Sequence, residues 1–328
     1  MTADRILFVI DDLEYKYFEF NKLVTNFWLI KEFLKRGFET DITTKKNLFI
    51  SNCKGCVSAN KAFLKDDGEI AYRKGFDIRE IETYGNVYFR PDPPVDVDYI
   101  NACNVFEFVD FKKTKVFNNP LSIRNFNEKL HVNLFPQFIP KNIVTSSKNL
   151  IIDFVNQTGK AVIKPLNRCF GSGVFVLNKN DANLNSIITT ATENEKTLVM
   201  VQEYLPGAVN GDKRVLIIGE TVFDESVRKL PAPNDFKFAE HSDKYFEKAP
   251  LTNEERIAAK SIAKMLTSMG LPIAGLDMID GKVIEINITS PCFFIKEINA
   301  LYNTKFEDKI LCELNKLSGN KEKTLINM

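Results

Sequence analysis

The sequence predicts a protein that combines an α/β layer with α+β units, and three observations carry that expectation. The chain opens with a strand, a helix and a second strand in succession; its middle holds a strand, small-residue loop, strand unit; and near the C-terminus two apolar runs flank an Asp-Gly turn. At 328 residues and 44% hydrophobic content, the chain can fill two or three compact units, each with its own core.

Arg5 to Ile10 (RILFVI) is an apolar strand ending at Asp11-Asp12. Leu23, Phe27, Ile30 and Leu34 then recur at helical spacing, with Val24 and Trp28 widening the face. Gly37 suits the helix C-cap, and Glu39 to Thr43 starts a second strand. Aromatic residues in that stripe read as core rather than ligand contacts. Asn86 to Arg90 (NVYFR) is a further strand, stopped by Pro91-Asp92-Pro93-Pro94, because proline continues neither helix nor strand. Open α/β sheets bind ligands beyond the carboxyl ends of their strands, so Arg90 and Asp92 stand where substrate could be held. A stiff turn with a surface ion pair fits the same residues. Val116 to Asn118 and Ser122 to Leu130 read as a strand passing into a helix that carries Lys129, at the boundary of the first unit.

Ala161 to Lys164 (AVIK) is an apolar strand, Gly171-Ser172-Gly173 a flexible turn and Val174 to Leu177 the returning strand. Backbone N–H groups of such a loop can cradle phosphate while Lys164 adds a point charge, although a plain hairpin has the same pattern. Leu198 to Val201 is a buried strand, and Gln202, Glu203, Tyr204, Leu205 and Pro206 end it with backbone that could meet an adenine edge. Gly207 to Lys213 is a polar turn into the strand Arg214 to Ile218, with Asp212 and Arg214 at its start. Thr252 and Glu255 form a capping-box signature for a helix reaching Leu266, and the tail after Asn315 looks loosely ordered.

The Asp-Gly turn carries the chemistry. Gly275 to Pro291 reads GLDMIDGKVIEINITSP, and Asp277, Glu285 and Asn287 supply oxygen donors suited to a hard divalent cation of the kind that accompanies phosphates, which points to ATP-dependent chemistry. Glu285 and Asn287 share a strand face because they are two apart. A two-residue loop at Asp280-Gly281 would set Asp277 against Ile284, facing away from Glu285; a three-residue loop with a bulge would shift the parity and gather all three donors. The metal reading therefore expects the three-residue loop, while an ordinary edge hairpin with solvated acids fits the same residues.

Composition excludes several classes. Lys and Arg number 44 against 43 Asp and Glu, so no net field favours nucleic acid or an anionic membrane. No apolar run approaches the roughly 20 residues of a membrane helix, and MTADRILFVIDD lacks a signal-peptide layout, which makes the cytoplasm the expected location. The six cysteines are scattered without a disulfide framework, and Cys53-Lys54-Gly55-Cys56 is a single C-x2-C without the further ligands zinc needs. His131 and His241 stand apart and support neither a triad nor a metal cluster.

Six ordered blocks, FRPDPP (Phe89 to Pro94), NNPLSIRNFNEKL (Asn118 to Leu130), IKPL (Ile163 to Leu166), VQEYLP (Val201 to Pro206), GDKRVL (Gly211 to Leu216) and the Gly275 to Pro291 hairpin, resemble bacterial-type glutathione synthetases. These are a branch of the ATP-grasp carboxylate-amine ligases, and the likeness covers most of the chain from Arg90 onward. The resemblance implies a pre-ATP-grasp Rossmann-like domain over residues 1–121, an ATP-grasp fold of two subdomains over 122–205 and 206–318, and a tail over 319–328. It implies ATP with Mg2+ or Mn2+, small-molecule acid and amine substrates, and a homotetramer. By position, Lys129, Lys164 and the Gly171-Ser172-Gly173 turn would meet ATP phosphates, Gln202 to Leu205 would line the adenine pocket near Asp212, and Arg214 would face the transferred phosphate. Asp277, Glu285 and Asn287 would hold the metal, and Arg90, Asp92, Ser290 and Pro291 would lie toward substrate. The implied reaction runs through an acyl phosphate that an amine then captures.

The chain also departs from that pattern. Asn167, Arg168, Cys169 and Phe170 replace a glycine-rich phosphate loop, and the lid segment Pro231 to Pro250 contains no glycine, with Lys237 in place of a catalytic arginine. Cys292, Phe293, Phe294 and Lys296 follow Ser290-Pro291 where small residues and an arginine are usual. These changes fall on the lid and acceptor side, so a different amine acceptor, or a silent nucleotide-binding paralogue, stands beside glutathione synthesis as a reading.

Overall fold

Residues 5–12, 16, 25–73, 75–169, 171–231 and 245–319 are described by a computed structural model. Lys237, His241 and Phe170 lie outside the described residues.

The first layer grows from strand β1 (Arg5–Ile10), whose residues from Ile6 onward are all buried. Helix α1 (Thr25–Lys35) lays Phe27, Leu29, Ile30 and Phe33 onto it, and Phe8, Phe33 and Tyr88 bring their rings to 4.8–6.0 Å of one another. The aromatic stripe is core, as its period predicts. Strands β2 (Glu39–Thr44), β3 (Leu48–Ser51), β4 (Lys54–Leu64), β5 (Ile70–Tyr72), β6 (Asp77–Glu80), β7 (Asn86–Phe89) and β8 (Lys115–Phe117) complete the sheet, with helix α2 (Val97–Val105) between the last two. Its order is β3-β4-β2-β1-β7-β8, with β5 and β6 also on β4. β2, β1, β7 and β8 run parallel. The chain spreads from β1 to β2 on one side and to β7 on the other, so the carboxyl ends of β1 and β7 form a switch-point crevice. The antiparallel ribbon β3–β6 gave no clear sequence signal. Its Asn52-Cys53 turn has positive φ at both residues, which leaves Cys53 exposed while Cys56 is buried in β4.

The Ser122 to Leu130 helix is corrected: only α3 (Pro120–Ile123) is helical, and a 3-10 turn follows over Leu130–Leu134. Asn127 is the reason, since its Oδ1 accepts from the Lys129 and Leu130 N–H groups and makes a tight turn in place of a helix. Lys129 thus stands at the mouth of a turn. His131 is structural: its ring stacks on Phe126 at 4.6 Å and its Nδ1 accepts from the Asn127 N–H.

A second sheet is built from β9 (Asn142–Thr145), β10 (Lys160–Pro165), β11 (Phe175–Asn178) and β12 (Val199–Glu203) in the antiparallel order β11-β10-β12-β9. Helices α4 (Lys148–Thr158) and α5 (Leu184–Ala191) cover one face with Ile151, Val155, Leu184 and Ile188. Strand alternation sends Lys164 and Gln202 to the opposite face.

The third sheet comprises β13 (Asp212–Ile218), β14 (Thr221–Val222), β15 (Val227–Lys229), β16 (Phe246–Lys248), β17 (Ile273–Ile279) and β18 (Lys282–Asn287). Its order is β16-β15-β13-β17-β18, with β14 on β13. Helix α6 (Asn253–Ser268) begins with the expected capping box: Thr252 Oγ1 accepts from the Glu255 N–H at 3.2 Å, and Glu255 Oε2 accepts from the Thr252 N–H at 2.9 Å. Helices α7 (Ile295–Tyr302) and α8 (Phe306–Ser318) close the fold, and α8 runs beyond Asn315, where the sequence suggested loose order. Leu311 and Leu314 anchor it in the core.

Gly211 is needed where β13 starts. Its φ is +88°, and a Cβ there would lie 1.9 Å from the Lys229 carbonyl oxygen. Gly211→Ala is expected to force β15 away from β13 and to cost about 2–4 kcal/mol, a size set by backbone strain with overpacking, read as a fall in the urea midpoint. An unchanged midpoint would disprove the close approach.

Candidate active site

The β17–β18 hairpin settles how the three oxygen donors meet. The turn is the two-residue kind, Asp280 and Gly281 both having positive φ (49° and 72°), and Ile279 pairs with Lys282. The expected three-residue loop is therefore not used. A β-bulge does the work instead: Met278 pairs with Val283, Asp277 with Glu285, and Ile284 is the extra residue. Type I′ geometry suits Asp-Gly, so the parity shift moves out of the turn and into the strand. Asp277 and Glu285 are cross-strand partners, and Asn287 Nδ2 donates to Asp277 Oδ2 at 3.2 Å and to the Gly275 carbonyl at 3.2 Å. The hairpin tip is tied down, because Asp280 Oδ2 accepts from the Gly207 N–H at 2.8 Å in the segment joining β12 to β13.

Asp277 is 5% exposed and carries two cationic partners. Arg214 grips it bidentately, Nε to Oδ1 at 2.7 Å and Nη2 to Oδ2 at 2.9 Å, and Lys229 Nζ reaches Oδ1 at 3.1 Å. Burial pushes its pKa up, but the two cations outweigh burial and hold the carboxyl well below its usual range. Lys229 also pairs with Asp212, its partner in the β13–β15 ladder. Burial drives the Asp212 carboxyl upward against that pairing. Sequence reasoning passed over Lys229 because only the sheet register, joining residues 17 positions apart, reveals it.

Glu285 meets the other cation: Lys129 Nζ donates to Glu285 Oε1 at 2.8 Å and to the Arg168 carbonyl at 2.8 Å. Burial lowers the Lys129 pKa, yet the Glu285 carboxylate more than offsets it and the ammonium is favoured. The loop residue that the ammonium touches is Arg168. Gly171 and Gly173 have positive φ, and the Ser172 and Val174 N–H groups bond to the Cys169 and Gly171 carbonyls as in a plain turn.

Lys164 and Gln202 face the same space. Lys164 Nζ donates to Gln202 Oε1 at 2.7 Å, and burial lowers the lysine pKa to about 8. Gln202 is 2% exposed, and its Nε2 has no hydrogen-bond partner among the described residues. A buried donor without an acceptor is costly, so this amide fits a site that receives an acceptor atom from a ligand. Beyond it, the Glu203 and Tyr204 N–H groups bond to the Lys141 and Lys160 carbonyls, Glu203 Oε1 accepts from the Lys141 N–H, and Lys160 Nζ lies 3.5 Å from the Tyr204 ring centroid. Leu205 turns the chain toward Gly207.

At the switch-point crevice, Asp92 is bonded to Ser290, joining the β7 end to the hairpin's exit. Burial pushes the Asp92 carboxyl up. Arg90 is 2% exposed; its Nη2 donates to the Pro291 carbonyl at 2.8 Å, its Nε to Asn26 Oδ1 at 2.5 Å, and it lies 4.9 Å from the Phe293 ring centroid. These bonds make Arg90 a tie between the first layer and the Pro291 turn. Phe293, 1% exposed, belongs to the core, whereas half-buried Phe294 lies between the Phe246 ring at 5.0 Å and the Arg214 guanidinium at 5.6 Å. Among the described residues, no helix is long and apolar enough to cross a membrane.

Two carboxylates and an amide form a hard-cation donor set, and four cations, Lys129, Lys164, Arg214 and Lys229, surround it. That combination suits a polyphosphate with a divalent metal. The family described as prokaryotic glutathione synthetase, N-terminal domain, matches residues 5–124, and the family described as prokaryotic glutathione synthetase, ATP-grasp domain, matches residues 128–303. A glutathione synthetase of Thermosynechococcus vestitus is 36% identical over 237 residues, 72% of this chain and 74% of that protein. One from Vibrio parahaemolyticus is 30% identical over 288 residues, 88% of this chain and 91% of that protein. Among solved structures, D-cycloserine synthetase DcsG superposes with a TM-score of 0.65 at 13% identity over 95% of this chain and 99% of that one. D-alanyl-alanine synthetase A from Vibrio cholerae does so with a TM-score of 0.59 at 12% identity over 98% and 100%. At those identities the structures speak for the fold.

Proposed function

The chain belongs to the prokaryotic glutathione synthetase family of ATP-dependent carboxylate-amine ligases, and from that premise we propose that it joins the cysteinyl carboxylate of γ-glutamylcysteine to the amine of glycine. A carboxylate oxygen attacks the γ-phosphorus of ATP, the bond to ADP breaks, and the resulting acyl phosphate is captured by the amine with loss of phosphate. The carrying observation is the bulge-made alignment of Asp277 and Glu285 beside Asn287.

In this reading Asp277, Glu285 and Asn287 hold the divalent cation, Mg2+ or Mn2+, which neutralises phosphate charge when bound. Lys129 and Lys164 orient the phosphates, Arg214 faces the group in transfer, and the Gln202 amide serves the nucleotide. Asp92 and Ser290 border the acid's place at the crevice. Lys237, outside the described residues, would supply by family resemblance the charge that an arginine gives there. A second reading, another amine, rests on Phe294, whose ring against Phe246 and Arg214 gives the acceptor side an aromatic wall.

Mass spectrometry after incubation with ATP, Mg2+, γ-glutamylcysteine and a mixture of amines tests both readings. Glutathione with equimolar ADP is expected; a different peptide selects the second reading. No ADP from any combination, with ATP still raising the melting temperature, would leave only a nucleotide-binding protein.

Lys164 adds a pH signature. A lysine lowered to about 8 is charged below that value and neutral above it, so kcat/KM for ATP should be level below pH 8 and fall about tenfold per unit above it. A flat profile to pH 9.5 would remove Lys164 from the phosphate site.

A further inference from the structure

We propose that Glu128 is a positioning residue that fixes the register between the phosphate-facing lysine and the metal-binding strand, a role that rests on the ligase reading above. Among the described residues β18 is the last strand of its sheet, so its outer edge has no neighbouring strand there to accept its N–H groups. The segment around Glu128 supplies those acceptors. The Ile286 N–H donates to the Glu128 main-chain carbonyl at 3.0 Å, and farther along the edge the Val283 N–H donates to the Phe138 carbonyl at 2.8 Å. Beyond the last strand residue, a single carboxylate oxygen takes over: Glu128 Oε1 accepts from the Ile288 N–H at 2.7 Å, the Thr289 N–H at 3.0 Å and the Thr289 hydroxyl at 3.0 Å.

These bonds bracket Asn287 and lead directly into Ser290. The neighbours of Glu128 reach elsewhere. Asn127 Nδ2 donates to the Leu166 carbonyl at 3.1 Å and to Asn167 Oδ1 at 3.3 Å, both in the loop after β10, while Lys129 touches that loop at Arg168 and the metal strand at Glu285. Three consecutive residues therefore join the phosphate loop, the cation-binding strand and the turn toward substrate. Glu128 itself is aimed at the Ile288 and Thr289 N–H groups and the Thr289 hydroxyl, so it acts through Glu285, Asn287 and Lys129. In-line phosphoryl transfer depends on such spacing, where a displacement of about 1 Å can cost 10²-fold.

The test uses three variants of the full chain. Glu128→Gln keeps an oxygen that can accept all three bonds; Glu128→Asp retains the charge but withdraws the oxygen; Glu128→Ala removes it. Glu128→Asp and Glu128→Ala are expected to lower kcat at least thirtyfold with KM for ATP and for the acid changed less than threefold. Glu128→Gln should recover at least tenfold of the loss. A second readout needs no turnover: the electron paramagnetic resonance spectrum of Mn2+ bound with ADP should match wild type in Glu128→Gln and differ in Glu128→Asp. Folded Asp and Ala variants with kcat within threefold of wild type would overturn the proposal. So would a Gln variant as impaired as Glu128→Asp, since charge rather than geometry would then matter. Should Glu128→Ala fail to fold, the Gln and Asp pair decides. If wild type makes no peptide, the ligase reading fails, and the Mn2+ spectra still judge Glu128.

Discussion

Glu285→Gln should abolish ADP formation, a loss of at least about 10³-fold, while the protein stays folded. Phosphoryl transfer leans almost wholly on positioning and charge neutralisation, and this change removes one of two carboxylates from the donor set without altering its shape. The fold should tolerate it. The glutamine oxygen can still accept from Lys129, and the Glu285 side chain is 22% exposed, so the loss is a charge-assisted bond weakened to a neutral one, about 1 kcal/mol. Thermal melting within a few degrees of wild type, together with no ADP release in a coupled assay, is the expected pair of results. Normal turnover would reject the metal assignment.

Arg214→Met should lower kcat by about 10²–10³-fold, the scale found when one preorganised donor to developing charge is removed. Here the fold pays as well. Asp277 is buried and would keep Lys229 as its cation together with the Asn287 amide, and stripping one partner from a buried ion pair costs about 3–5 kcal/mol when nothing replaces it. With Lys229 remaining, the lower end applies. Arg214→Lys separates charge from shape: it restores the cation but cannot form the two parallel bonds to Oδ1 and Oδ2, so it should recover stability more fully than turnover. Single-turnover kinetics with urea unfolding reads both effects. A Met variant within tenfold of wild-type kcat would show that Arg214 serves only the ion pair.

Much of this was legible in the sequence, for identifiable reasons. Apolar runs located β1, whose two faces lie in two cores, and β10; helical spacing located α1 and a capping-box signature located α6. That Asp277, Glu285 and Asn287 could meet was legible from chemistry and spacing, but the device that aligns them was not. Asp-Gly argues for a two-residue turn and the alignment argues for one more residue; only a bulge at Ile284 satisfies both, and a bulge leaves little trace in composition. Ser122 to Leu130 reads as a helix carrying Lys129, yet the Asn127 side chain competes for the backbone there and makes a turn. Lys229 and Glu128 were invisible, since each matters through a partner far away in the chain.

The ion pairs around Asp277 and Glu285 carry a consequence for how such a pocket is loaded. Arg214, Lys229 and Lys129 already serve as counterions, so a lone dication approaching these carboxylates would have to displace positive side chains, of which Lys229 would retain the Asp212 carboxylate. On the proposed assignment, triphosphate would resolve the conflict by presenting new anionic oxygens to the displaced side chains as its own metal meets the acids. Admission would then be a trade of partners, and a cation without its nucleotide would have nothing to offer in exchange.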